Sequence, residues 1–240
     1  MTQQEEEKEK YIYSEKDFLH NWGVLRSKYM KQPTNIKKLD FSEAKEFEDA
    51  KKVFTKEEIN KALEILKEGG LILYPTDTVW GIGCDATNPE AINKVFQLKQ
   101  REDSKALICL VADERMLKKY VKNIPEAAYD IIDVTEDPIT IIYDDAQNLA
   151  PNLIAEDNTI AIRIPNDDFC FQLLRRFNGS IVSTSANISG MPTPKSFKEI
   201  SQEVLKGVDY VVNLHREKIC NKPSSIIKLS SNGVVKVIRP

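Results

Sequence analysis

One stretch constrains the fold more than any other: Leu71 to Ala86, LILYPTDTVWGIGCDA. It opens as an unbroken apolar run, Leu71-Ile72-Leu73-Tyr74, the pattern of a strand covered on both faces. At Pro75 the character changes to Thr76, Asp77 and Thr78, and Gly81 and Gly83 follow Trp80. A buried strand ending in hydroxyls, a carboxylate and bare backbone suits the carboxyl end of a strand in an open α/β sheet. Such sheets bind their ligands there. The blander alternative is a surface turn punctuated by proline and glycine.

The remainder of the chain must supply a core around that strand, and it can. Of 240 residues, 41% are hydrophobic and 30% charged, which is neither disordered nor membrane-like in composition. Lys and Arg number 34 against 37 Asp and Glu, for a net charge of −3, so nothing global calls for nucleic acid or an anionic membrane. No apolar run approaches the ~20 residues of a spanning helix. The first residues are polar and Glu-rich, without the apolar centre of a signal peptide. Cys84, Cys109, Cys170 and Cys220 are widely scattered, which reads as reduced thiols in a cytoplasmic protein. His20 and His215 are the only histidines, which leaves little room for a Ser-His-Asp hydrolase or a His-rich metal centre.

Residues 1–50 differ in texture and read as a partly helical N-terminal extension of unknown role. Phe18, Trp22, Leu25 and Tyr29 form one apolar stripe at helical spacing. The main body, 53–240, begins with a capped helix: Thr55-x-x-Glu58 as capping box, Phe54 with Ile59 as staple, Gly69-Gly70 as stop. Asn88-Pro89 opens a second helix. Strands are expected at Ala106–Ala112, Ile139–Tyr143, Thr159–Ile164, Ser180–Ser183 and Val208–Leu214. Helical patterns cover Asp113–Val121, Pro125–Val134 and Phe169–Phe177, and Ser196-x-x-Glu199 is expected to cap another. In Thr159–Ile164, Ile160, Ile162 and Ile164 share one face, with Thr159, Ala161 and Arg163 on the other. Ser225–Ser230 and Val234–Ile238 flank Asn232-Gly233 as a hairpin. Strands alternating with helices, with the last strands pairing locally, predict an α/β fold with an open, twisted, mixed sheet flanked by helices.

Four places depart from what packing alone requires. Besides Thr76-Asp77-Thr78 there are Lys99-x-Arg101 with Lys105, where basic residues near a helix end are also ordinary dipole partners. Ser183-Thr184-Ser185-Ala186-Asn187 delivers hydroxyls and an amide that can hold a polar ligand or phosphate, or else form a Ser-rich turn. Arg163 either faces water or grips a carboxylate or phosphate.

In order along the chain, YPTDTVWGIGCDAT, LKQREDSKAL, TIAIRIP, STSANISGMPTP and PSSIIKL resemble the successive signatures of the YrdC-like threonylcarbamoyl-AMP synthase family. The resemblance spans about residues 53–240 and includes the Lys-x-Arg and Ser-x-Asn pairs, here Lys99/Arg101 and Ser185/Asn187. The family's middle phrase, Trp-Pro-Gly-Pro-x-Thr, keeps only its second proline and its threonine, as Pro138 and Thr140.

The resemblance implies an enzyme, a nucleotidyltransferase that joins L-threonine, bicarbonate and ATP into threonylcarbamoyl-AMP with release of pyrophosphate. Its product feeds threonylcarbamoylation of tRNA adenosine 37 by a downstream transferase machinery. Carried over motif by motif, Lys99 and Arg101 would be catalytic. Thr78, Arg163, Ser183 and one of Ser224 or Ser225 would hold threonine. Arg101, Lys105, Thr159, Ser185, Asn187, Thr193 and Arg239 would hold ATP. Mg²⁺ is expected with the ATP, without assigned protein ligands. Strong tRNA binding and membrane association are not expected. The rival readings are a double-stranded RNA-binding module and a nucleotide-binding paralogue of the same fold. Lys and Arg nearly balance Asp and Glu over 51–240, which argues against RNA as the main ligand. The glycines read as room for substrate rather than a phosphate loop, since no G-x-x-x-x-G-K follows. Asp77 either caps its turn or helps to order a metal, and the turn is the simpler reading.

Overall fold

Successive residues of a strand point to opposite faces of its sheet, and in this chain that separates a core from a site. In the computed structural model, residues 55–100, 107–220 and 222–240 are described. The 1–50 extension with its apolar stripe, the Phe54 half of the staple, Arg101 and Lys105 lie outside the described residues.

Glu58–Pro240 forms one compact unit. Helix α1 (55–67) buries Ile59, Ala62, Leu63 and Leu66, the face its spacing predicts. Among the described residues nine strands follow: β1 (Ile72–Tyr74), β2 (Gly81–Gly83), β3 (Ile108–Leu110), β4 (Ile139–Tyr143), β5 (Ile160–Arg163), β6 (Ile181–Ser185), β7 (Tyr210–Val211), β8 (Ser225–Leu229) and β9 (Val235–Arg239). They make one mixed sheet in the order β7-β1-β2-β6-β3-β5-β4-β8-β9. Between them run α2 (Pro89–Leu98), α3 (Glu114–Leu117), α4 (Glu126–Val134), α5 (Asp168–Phe177) and α6 (Gln202–Gly207). Asn88 caps α2 as expected, its Oδ1 accepting from the Glu90 and Ala91 amides, with Pro89 in the first turn.

Three expectations shift. The 196–199 motif does not cap a helix: Ser196 Oγ goes to the Glu199 carboxylate, and only a short 3₁₀ turn, Phe197–Glu199, results. The helix proper starts later, at α6, where Ser201 Oγ accepts from the Val204 amide. The helix expected over 113–121 stops at Leu117, because Val121 bridges Ala146 instead. The strand expected over 208–214 shortens to β7.

Glycines Gly81 and Gly83, read from the sequence as room for substrate, form a strand, β2. A side chain at Gly83 would meet Tyr74 Cε1 at 2.7 Å and the Val182 carbonyl oxygen at 2.9 Å. The bare strand is therefore the bed on which the Tyr74 ring lies. That accounts for Gly83; a side chain at Gly81 would stand 3.1 Å from Ser183 Oγ and 3.6 Å from Tyr74 Cε1.

Across the ladder, Leu73 aligns with Ile82, Cys109 with Val182 and Ile162, Ile141 with Ile162, and Tyr143 with Ile160. All are buried and share one sheet face, which is the core. Ile160 and Ile162 fall on it as the alternation predicts. The opposite face carries the chemistry.

Candidate active site

The same register fixes what lies on that second face. Tyr74 aligns with Gly81 and Gly81 with Ser185; Ser183 aligns with Ile108 and Ile108 with Ala161; Leu110 aligns with Arg163; Thr140 aligns with Ile226 and Ile226 with Arg239. Neighbours across a ladder and residues two apart point the same way. Tyr74, Ser183, Ser185, Arg163, Thr140 and Arg239 therefore share one side of the sheet. Tyr74, Arg163, Ser185 and Arg239 each end their strand, as expected, but in a mixed sheet those ends do not fall on one edge. β1 and β6 run opposite to β3 and β5, so Tyr74 and Arg163 sit at opposite ends of the ladder. Arg163 is level with Ile181, four residues along β6 from Ser185, about 13 Å at strand rise. The site is a face, not an edge.

The loop after β1 folds back across this face. Its turn is held by Thr76, whose Oγ1 donates to the Val79 carbonyl (2.7 Å) and accepts from the Thr78 and Val79 amides (3.1 and 3.2 Å). Asp77 is thereby released from capping and reaches across to the end of β5. One carboxylate oxygen takes Arg163 Nη1, and the other accepts from the Asn166 amide at 3.1 Å. Arg163 Nη2 donates to Thr78 Oγ1 at 3.3 Å. The guanidinium is only 4% exposed. Its Nε is buried without a hydrogen-bond partner, as is the Tyr74 hydroxyl. Burial raises the Tyr74 phenol well above its ordinary pKa, so it stands as a neutral donor.

A second group faces the first. Thr140 and Ser224 hydroxyls are 2.7 Å apart and buried. Arg239 donates through Nε and Nη2 to the Ser224 carbonyl at 2.9 and 2.6 Å. Burial first, and Arg163 second, hold the Arg239 pKa below its usual value. The structure thus distinguishes the two candidate serines: Ser224 belongs with Thr140 and Arg239, whereas Ser225 is half-buried on the other parity of β8. The residues that the 134–140 segment keeps are those in contact, since the Pro138 carbonyl accepts from the Ser225 amide at 3.0 Å.

A third group joins the end of α2 to the loop after β6. Lys99 is buried, and its Nζ donates to the carbonyls of Ser185 (2.6 Å) and Asn187 (2.7 Å). The Ser189 amide returns a bond to the Lys99 carbonyl at 2.9 Å. Ser185 Oγ donates to Asn187 Oδ1 at 2.5 Å, and Asn187 Nδ2 donates to the Met191 carbonyl at 2.5 Å. Thr193 lies exposed in the same loop. Thr159, just before β5 and two residues from Ala161, shares the parity of Arg163, and its amide and hydroxyl both donate to Asp157 Oδ1, at 3.3 and 2.6 Å. Sequence reading missed Asp77 and Thr140 as members of this face. Their partners lie 86 and 84 residues away in the chain, so only the sheet order brings them in.

Two guanidiniums against one carboxylate, with hydroxyls and a lysine-braced loop, make an anion-binding face on an open mixed α/β sheet. Among the described residues, no group of three or more His, Cys, Asp or Glu could hold a metal, and no helix is long and apolar enough to cross a membrane. That class narrows to a family on comparison. The chain belongs to the Sua5/YciO/YrdC family, whose model, described as telomere recombination, matches residues 64–240. A Methanocaldococcus jannaschii relative is 38% identical over 189 residues, covering 75% of this chain and 86% of its own. A Pseudoalteromonas translucida protein named threonylcarbamoyl-AMP synthase is 35% identical over 181 residues, covering 74% and 95%. Among solved structures, E. coli YciO matches with a TM-score of 0.67 at 26% identity, covering 75% of this chain and 87% of that one. P. abyssi Sua5 complexed with L-threonine matches with a TM-score of 0.63 at 26% identity; the alignment covers 71% of this chain and 50% of that longer one.

Proposed function

We propose that the protein is an L-threonylcarbamoyladenylate synthase. The observation that carries this reading is the convergence on one sheet face of Arg163 with Thr78, of Ser224 with Arg239, and of Ser185 and Asn187 with Lys99. The same activity is in the name of the Pseudoalteromonas relative, and the Sua5 structure was solved with L-threonine.

Threonine's amine and bicarbonate condense to a carbamate with loss of water. A carbamate oxygen then attacks the ATP α-phosphorus, the bond to the bridging oxygen breaks, and pyrophosphate leaves. No protein nucleophile is required, so the work is positioning and charge neutralisation. Arg163, with Thr78, Ser183 and Ser224, holds threonine, the guanidinium taking its carboxylate. Ser185 and Asn187 hold the nucleotide in a loop that Lys99 braces, with Arg101, Lys105, Thr159, Thr193 and Arg239 completing the ATP subsite. Mg²⁺ bound with the ATP, with no protein ligand assigned to it, would add neutralisation of triphosphate charge. Asp77, the carboxylate on this face, is engaged by Arg163 and is not offered to a metal. The product passes to a tRNA-modifying transferase in the cytoplasm.

Pyrophosphate release from ATP, measured with and without threonine in bicarbonate buffer, tests the reading. Threonine-dependent release is expected. Release that is the same without threonine would remove the synthase and leave a nucleotide-binding paralogue.

A further inference from the structure

Asp77 is the residue that the proposed chemistry leaves unused, although it sits at the centre of the threonine group. Its side chain is 6% exposed, and that of Arg163 is 4% exposed. A carboxylate withdrawn that far from water holds its place only when both oxygens are satisfied. Here one takes Arg163 Nη1 and the other the Asn166 amide. Asp77 therefore ties the loop after β1 to two points at the end of β5.

The consequence for the arginine is geometric. A guanidinium presents parallel N–H pairs along its edges, and each pair matches a carboxylate. Asp77 occupies Nη1. Thr78 Oγ1 accepts from Nη2 at a long 3.3 Å, which leaves that nitrogen's second proton, and Nε has no partner at all. The side edge made by Nε and Nη2 is thus the bidentate fork still to be filled. A buried N–H without an acceptor carries a desolvation cost that an incoming anion removes.

We infer that Asp77 is a positioning residue: it fixes Arg163 by Nη1 so that the Nε–Nη2 edge receives the carboxylate of the amino-acid substrate. This rests on the synthase reading for the identity of that substrate. Asp77 touches no substrate itself. It sets the orientation of the group that does, and the fixed fork spares the substrate the cost of ordering a mobile arginine.

The experiment uses the full chain and two variants, Asp77→Asn and Arg163→Lys, singly and together. Asn keeps an oxygen for the Asn166 amide but places no charge against the guanidinium. Lys keeps a cation against Asp77 but has no fork. L-threonine binding is followed by calorimetry, and turnover by pyrophosphate release. For Asp77→Asn the threonine Kd and KM should rise by about tenfold or more, with kcat and the KM for ATP within about twofold, the signature of lost uniform binding. The double variant should bind threonine no worse than Arg163→Lys, because Asp77 acts through Arg163. Asp77→Glu should recover part of the affinity. Unchanged threonine affinity in Asp77→Asn would overturn the inference, as would additive losses in the double variant or a parallel decline in both KM values and kcat. If Asp77→Asn fails to fold, Arg163→Lys alone decides: threonine affinity equal to that of the parent removes the fork from the site. Calorimetry needs no turnover, so a parent chain that binds threonine without releasing pyrophosphate fails the synthase reading alone.

Discussion

Lys99 Nζ lies 2.6 Å from the carbonyl oxygen of Ser185, 86 residues further along the chain. With the second bond to Asn187 at 2.7 Å, a buried ammonium holds the backbone where β6 ends and its loop begins, the stretch that carries the Ser185 and Asn187 side chains. Lysine at this position is an internal brace.

Lys99→Met tests that brace. Methionine preserves the apolar stem but leaves two carbonyls without their charged donor, which costs about 1–3 kcal/mol. The melting temperature should fall by roughly 2–10 °C for a domain of this size, and the KM for ATP should rise with it. Lys99→Arg should not rescue, since a planar fork cannot replace a compact ammonium between two close carbonyls. Thermal denaturation and ATP-dependent kinetics on the pair of variants check both statements.

Gly83→Ala addresses the bed under Tyr74. The added methyl would stand 2.7 Å from the Tyr74 ring and 2.9 Å from the Val182 carbonyl oxygen. The ring is fully buried and the carbonyl is backbone, so neither yields cheaply. Overpacking of this kind costs about 1–3 kcal/mol, which chemical denaturation would register as a lower midpoint at constant slope.

The division between legible and illegible sequence follows chain distance. Periodicity placed α1, α2, α5 and the isoleucine face of β5, because each depends on residues three or four apart, or two apart in a strand. Family motifs brought forward Thr78, Arg163 and Ser185. What failed depended on partners remote in the chain. Gly81–Gly83 is not expected as a strand, and the need for a bare residue at Gly83 shows only once the Tyr74 ring is placed beside it. Ser196-x-x-Glu199 satisfies the capping-box pattern, yet the serine hydroxyl finds the glutamate side chain rather than a backbone amide. Asp77 resembles any turn aspartate until Arg163 is placed opposite it, and the direction of each strand decided that the site would occupy a face.

Asp157 predicts an acid-side effect. Its carboxyl is held below the ordinary range, first by the Thr159 hydroxyl and then by Lys228. A depressed folded pKa contributes stability that is present above the unfolded carboxylate value of about 3.9 and is lost as pH falls through the folded value. Asp157→Asn should therefore lower the melting temperature at pH 7, with the deficit shrinking as the pH falls through the folded value. Paired melts at pH 7 and in acid read this directly, and a deficit that persists in acid would assign the effect to packing instead.

The thiols predict the alkaline side. Burial pushes Cys109 up to about 12, and it raises Cys84, Cys170 and Cys220 as well. In the unfolded chain these groups ionise near 8.5, so above that pH the unfolded state binds fewer protons than the folded one. By linkage, stability is fully present below about pH 8.5 and declines as pH rises toward 12. The same protonation makes the thiols poor nucleophiles at neutral pH. All four cysteines are buried, so Ellman's reagent at pH 7.5 should find almost no fast-reacting thiol in the native chain and all four after denaturation. A rapid native phase would show that one thiol is accessible and ionised. Serine at that one position would then identify it.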